Sequence, residues 1–153
     1  VKNWTQPMIK VKHEGIYAFI IKRIKGISHI LVQGMVECGN FDIVEMAPTV
    51  QCLLENYNEA DLQEYPYLDY VLNAKQDEII YDVLQSEEGG RFYHVQNRNM
   101  IVEVDESFPE VDKKNFKWLT LKQIQNFLMF NNFFNIQARS LISALITKEN
   151  EFS

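Results

Sequence analysis

Apolar positions change their spacing along this chain, and the change predicts strands towards the front and helices at the back. Ile16 to Ile21 is an unbroken apolar run opened by Gly15, which suits a strand buried on both faces. Lys22 to Gly26 reads as a turn, and Ile27 to Gln33 as a second strand, together a β-hairpin. Further on, Ile79 to Leu84 predicts a strand and Glu87 to Gly90 a turn. Arg91 to Gln96 and Met100 to Val104 predict two more strands joined by Asn97-Arg98-Asn99. Between these blocks, Val50, Leu53, Leu54 and Tyr57 fall at the spacing of one helix face, so a helix is expected from Ala47 or Pro48. Asn58 to Glu64 reads as a polar connector, Pro66 to Leu72 as a short amphipathic piece, and Phe108 to Asn115 as a charged loop.

Near the end, Thr120 and Gln123 form a capping box ahead of the stripe Leu121, Ile124, Phe127, Leu128. Asn135 can cap a last helix that turns Ala138, Leu141, Ile142 and Leu145 inward. Phe127, Phe130, Phe133 and Phe134 read as core or as a subunit seam. Strands first and paired helices last argue for an α+β fold. The 153 residues suit one domain, with no internal repeat or linker.

Composition narrows the function classes. The net charge of −6 argues against nonspecific nucleic-acid binding. An anionic ligand would need local cations, and there are four arginines: Arg23, Arg91, Arg98 and Arg139. No apolar run approaches a membrane span, and no signal-type segment opens the chain, so a cytoplasmic protein is expected. Cys38 and Cys52 cannot by themselves build a disulfide framework or a structural zinc site. The chain begins at Val1 rather than Met, which leaves a trimmed start open. The polar residues without an evident structural role gather in Gly34 to Tyr57 and Gln85 to Asn99, which suggests a polar cleft.

Gly34 to Leu53 fits, without a gap, the frame of the Nudix box of pyrophosphohydrolases, G-x5-E-x7-R-E-U-x-E-E. The chemistry of the box is absent. Asn40, Pro48, Thr49, Cys52 and Leu53 stand where its Glu, Arg and three further Glu would be, and Mg²⁺ needs hard oxygen ligands. The frame resembles a Nudix scaffold that has lost its metal site.

A longer series of blocks is more specific. It comprises Trp4-Thr5-Gln6-Pro7, Leu31-Val32-Gln33, Glu37-Cys38-Gly39-Asn40, Ala47 to Gln51, Asn56-Tyr57 and Asp82 to Gly89. Phe92, Asn97 to Met100, Trp118 to Leu121 and Asn135 to Arg139 complete it. In this order, from about Trp4 to Leu145, the chain resembles the NDP-hexose 2,3-dehydratase family of deoxysugar biosynthesis. The resemblance implies a Nudix-like mixed β-sheet with flanking helices and a C-terminal helix pair. It implies as substrate a nucleoside-diphosphate 4-keto-6-deoxyhexose, typically dTDP-4-keto-6-deoxyglucose, which loses water across C2 and C3. The product tautomerises to a 3,4-diketo sugar for a separate NADPH-dependent ketoreductase. The dehydration itself needs no redox cofactor, and no metal is expected. Well-known members carry two tandem copies of the unit, whereas this chain has one and lacks the segment that normally precedes the Trp-x-Gln-Pro block. A fragment or a homodimer in place of the tandem halves follows.

Such a reaction needs a base at C3, a proton donor for the C2 hydroxyl and anchors for the diphosphate. Glu87, in a glycine-bounded turn beside Glu88, is the first candidate base, with Glu37 the second carboxylate and Tyr57 or His94 the acid. Arg91 and Arg98 are the candidate diphosphate clamps. Thr49, Gln51 and Asn56 are candidates for sugar or phosphate hydrogen bonds, and Gln85 and Ser86 for lining the sugar site. Asn99 is a binding residue or a left-handed turn residue. Trp118 stacks on the base or caps the core beneath the last two helices. The competing functions are a catalytically silent sugar-nucleotide-binding half and a Nudix-type phosphohydrolase.

Overall fold

The computed structural model describes residues 5–151. Trp4, the first residue of the family-like blocks, lies outside the described residues. Among the described residues, seven strands make one mixed sheet: β1 Gly15–Ile24, β2 Ile27–Met35, β3 Glu45–Pro48, β4 Val50–Leu53, β5 Ile79–Ser86, β6 Gln96–Val104 and β7 Phe116–Thr120. Four α-helices accompany them: α1 Glu59–Glu64, α2 Leu68–Leu72, α3 Leu121–Phe127 and α4 Ile136–Glu151. The expected α+β class and the C-terminal helix pair are both present.

β1 is the central strand. It runs antiparallel to β2 from Ile20↔Leu31 to Ile24↔Ile27, and parallel to β6 from Gly15↔Asn97 to Lys22↔Val104. Lys25 and Gly26 close the hairpin with φ of 52° and 80°, the left-handed pair that matches the twist of the strands. β5 lies antiparallel on the far side of β6, and β7 on the far side of β2. Because β1 is covered on both faces from Gly15 to Ile21, its sequence there is continuously apolar rather than alternating. Ile16, Ala18 and Ile20 pack with Leu31, Val50, Met100, Phe108, Phe116 and the α2 residues Leu68 and Val71. Tyr17, Phe19 and Ile21 face Ile124, Phe134 and the α4 residues Ala138, Leu141, Ile142 and Leu145.

Beyond Ile20 and Leu31, β1 and β2 part like a fork, and residues 45–53 fill it. β3 takes the vacated edge of β2, and β4 that of β1. Thr49 sits at the crotch, fully buried. Its hydroxyl donates to the Leu31 carbonyl and accepts from the Ile20 N–H at 3.0 Å. The helix expected from Ala47 or Pro48 is therefore replaced by two short strands and a 3₁₀ turn at Leu54–Asn56. The open edges of β1 and β2 need backbone partners, which an extended segment supplies and a helix does not. Val50 and Cys52 are buried by alternation, not by helical spacing. The box helix of the Nudix frame is accordingly absent at these positions.

Two other expectations change. Asn97-Arg98-Asn99 is not a turn but the interior of β6, paired with β1 and β5 on its two sides. Asn99 is thus extended, not left-handed. Arg91 to Gln96 is mostly loop rather than strand: Phe92 makes a single bridge to Ile9, and His94 has φ 52°. The polar connector contains α1, capped by the Asn58 side chain, and β7 was not foreseen. The capping box of α3 and the Asn135 cap of α4 form as read.

Candidate active site

The strand register builds a polar row on the face of the sheet that carries α4. Tyr17 of β1 has Gln51 of β4 on one side and Asn99 of β6 on the other. One pair further along, Asn97 of β6 lies beside Gly15 and opposite Gln85 of β5. Tyr17, Asn97 and Asn99 are all buried, so their polar groups must find partners inside the protein.

Those partners form two hydrogen-bonded clusters, one on each flank of Tyr17. The Asn97 Oδ1 accepts from the Gly15 N–H at 2.7 Å, and its Nδ2 donates to Oε1 of Glu87. Glu87 is placed by the loop after β5, where its own N–H donates to the Val95 carbonyl at 2.9 Å. On the opposite flank, the Gln51 Nε2 donates to Oε2 of Glu37 at 3.3 Å. The Gln51 Oε1 accepts from the Asn135 Nδ2 at 2.8 Å. Asn135 also caps α4, its Oδ1 accepting from the Ala138 N–H at 2.9 Å. The first turn of α4 is thereby tied to the middle of the sheet.

Tyr17 lies between the two carboxylates. Burial first, then the charge of Glu87, pushes its hydroxyl up to about 12; a hydrogen bond with Gln137 of α4 opposes this, and Glu37 adds to it. The hydroxyl therefore keeps its proton across the physiological range and is available as a donor. A carboxylate acceptor, a protonated hydroxyl and a second carboxylate thus share one face. That set can accept a proton on one side of a bound molecule and deliver one nearby.

The N-terminal segment closes one edge of this region. Ile9 exchanges backbone hydrogen bonds with Arg91 and Tyr93, Gln6 donates to the Gly90 carbonyl, and the Lys12 N–H reaches Glu55. The Thr5-Gln6-Pro7 block and the Glu87 to Gly90 loop are in this way neighbours.

The structure brings together some of the candidate residues and separates others. Glu87, Glu37, Gln51, Asn99 and Gln85 belong to this face, with the Gln85 amide donating to the Tyr81 hydroxyl at 2.9 Å. Arg91 is exposed on the Glu87 loop, its guanidinium 5.5 Å from the Phe92 ring. Arg98 and Ser86 point to the opposite face, and Arg98 is held by Asp82 through two bonds of 2.8 and 2.6 Å. That pairing holds the Asp82 carboxyl below its usual range. Thr49 is committed to the backbone fork. Asn56 is exposed in the 3₁₀ turn, and Tyr57 packs edge-on against Tyr65, 5.4 Å between centroids. His94 is exposed beside Tyr93. Trp118 does not lie beneath the last two helices: it packs on the other face, 5.9 Å from Phe108, beside a cavity of about 500 Å³.

Tyr17, Asn97, Asn135 and Gln137 were missed as site residues. Tyr17 is hidden in an apolar run. Asn97 and Asn99 carry a signal once Gln96 to Val104 is read as one strand, because period-two spacing then puts two buried amides on one face.

The match to the family model described as NDP-hexose 2,3-dehydratase spans residues 1–145. A dTDP-4-dehydro-6-deoxy-alpha-D-glucopyranose 2,3-dehydratase of Saccharopolyspora spinosa is 45% identical over 95% of this chain and 30% of its own length. The protein of the same description in Streptomyces violaceoruber is 38% identical, over 96% of this chain and 33% of its own. The chain thus spans about a third of the length of these curated relatives. Among solved structures, the Nudix hydrolase RenU of M. smegmatis superposes with a TM-score of 0.55, at 10% identity, over 92% of this chain and 88% of that one. That likeness establishes a Nudix-like fold and nothing about chemistry.

Proposed function

The chain belongs to the NDP-hexose 2,3-dehydratase family, and we propose that it binds an NDP-4-keto-6-deoxyhexose and removes water across C2 and C3. The observation that carries the proposal is the Glu87 carboxylate, fixed by a buried amide, on the same sheet face as the protonated Tyr17 hydroxyl.

In the proposed reaction Glu87 takes the C3 proton, which the adjacent C4 carbonyl acidifies. The electron pair forms the C2–C3 double bond as the C2–O bond breaks. Tyr17 gives its proton to the departing hydroxyl, which leaves as water. The two steps are coupled electrostatically. The charge of Glu87 is one reason Tyr17 holds its proton, so neutralising Glu87 makes Tyr17 a better acid at the moment a proton is needed. The resulting C3 enol takes a proton at C2, releases its hydroxyl proton and becomes the 3,4-diketo sugar. Tyr17 thus replaces Tyr57 and His94 as the candidate acid. Glu37 and Asn135 hold the Gln51 amide from either side. Gln85 and Asn99 line the sugar site, and Arg91 is the diphosphate anchor on the Glu87 loop. The reaction runs without a metal or redox cofactor in this proposal. Its diketo product passes to a separate NADPH-dependent ketoreductase.

The chain's coverage of only about a third of its relatives favours one second reading, a binding half that needs another copy or another domain for turnover. A homodimer of this unit is the arrangement we propose, in the cytoplasm. No helix among the described residues is long and apolar enough to cross a membrane.

The test is incubation with dTDP-4-keto-6-deoxyglucose in D₂O with EDTA, a diamine to trap the diketone, and mass spectrometry. A trapped 2-deoxy diketone carrying deuterium at C2 supports the dehydratase. Unchanged sugar with intact dTDP-sugar binding supports the binding half. Turnover that stops with EDTA refutes the metal-free chemistry.

A further inference from the structure

Resting on the reading of Glu87 as base, we infer that Asn97 is a positioning residue that dictates which oxygen of Glu87 receives the substrate proton. Asn97 is 3% exposed and has no freedom in its amide orientation. The Gly15 backbone N–H is a donor, so only the amide oxygen can face it, at 2.7 Å. The amide NH₂ is thereby turned towards Oε1 of Glu87. A donor fixed there requires Oε1 to stay an acceptor. The abstracted proton is consequently received on Oε2, and the carboxylate is held in one rotamer while it is received.

Gly15 is part of the same device. A Cβ built on it would lie 2.6 Å from the Asn97 Oδ1 and 2.8 Å from the Leu53 Cδ2, so any side chain here displaces the amide or the leucine. The carboxylate, the amide and the glycine come from the β5–β6 loop, β6 and β1, which only the parallel β1–β6 register brings together. The Glu87 backbone bond to the Val95 carbonyl fixes the other end of the residue.

The decisive variant is Asn97→Asp, which keeps the oxygen for Gly15 and replaces the donor by a second carboxylate oxygen. Its kcat is expected to fall about tenfold or more, in the range of a disabled general base, while KM stays within about twofold. A loss of melting temperature accompanies it, because two carboxylates then face each other. The double variant Glu87→Gln with Asn97→Asp reverses donor and acceptor. Its melting temperature is expected to recover towards wild type while its turnover does not.

An unchanged kcat in Asn97→Asp overturns the inference. So does a double variant that melts no higher than Asn97→Asp, since the two side chains would then be uncoupled. Wild-type turnover in Glu87→Gln alone would instead sink the base assignment itself. That result differs from the case in which Glu87→Gln is inactive and Asn97→Asp is not.

Discussion

Tyr17 gives the sharpest check on the site, because its hydroxyl proton is held by both burial and charge. Its value rises from the ordinary 10.0 to about 12. Below pH 10 the folded and unfolded chains both keep this proton, and the stabilising contribution is fully present. Above pH 10 the unfolded chain releases the proton and the folded chain does not, so stability falls as pH rises, until the folded value near 12 is reached. Each pH unit between the two values is worth about 1.36 kcal/mol, which sets a ceiling of about 2.7 kcal/mol for this hydroxyl. Tyr65 is raised to about 12 as well, chiefly by burial, and contributes a parallel loss. Tyr17→Phe removes only the Tyr17 share. The assay is the urea midpoint of wild type and Tyr17→Phe across the alkaline range, with lysine titration common to both. At neutral pH the variant is expected to lose about 1 kcal/mol with the Gln137 hydrogen bond, and that deficit is expected to shrink above pH 10. Two stability curves that stay parallel from pH 9 to 12 would show that Tyr17 is not buried between the carboxylates, and the proposed acid would fall with it.

Thr49→Val is expected to cost about 1–3 kcal/mol by leaving the Ile20 and Leu31 backbone groups unpaired at the fork, whereas Thr49→Ser retains most stability; denaturant midpoints decide. Asn135→Ala is expected to cost about 1–2 kcal/mol through the lost α4 cap and to weaken sugar-nucleotide binding by freeing Gln51, read by calorimetry on the same sample. Arg91→Ala is expected to weaken dTDP binding about tenfold, as the loss of a charge-assisted bond does. Arg98→Ala is expected to leave affinity unchanged and to cost under about 1 kcal/mol of stability, since its ion pair is partly exposed on the other face. Equal losses of dTDP affinity in both arginine variants would place the diphosphate elsewhere.

The elements legible in the sequence are those whose cause is local. The β1–β2 hairpin follows from two apolar runs around a glycine turn, and the helix pair from a capping box and an asparagine cap within a few residues of the stripes they start. Glu87 and Gln51 were singled out as candidates because they fall in blocks that resemble a family, not because their spacing announces chemistry. The segment from Val50 to Tyr57 misled because four apolar positions fit a helix face as well as an alternating strand. Asn97 and Asn99 misled because asparagine favours turns, a preference that ladder bonds on both sides of β6 override.

The sequence by itself therefore determined the class of fold and the family, and it singled out Glu87 as the proposed base. Only the tertiary structure decided which residues share the candidate site's face. Gly15, Tyr17, Glu37, Glu87, Asn97 and Asn135 are spread over most of the chain, and no local preference relates one to another. They meet because the open fork draws β3 and β4 between the hairpin strands and β6 pairs in parallel with β1. The same pairing sends Arg98 to the opposite face from Asn97, because neighbouring residues of a strand point to opposite sides of the sheet.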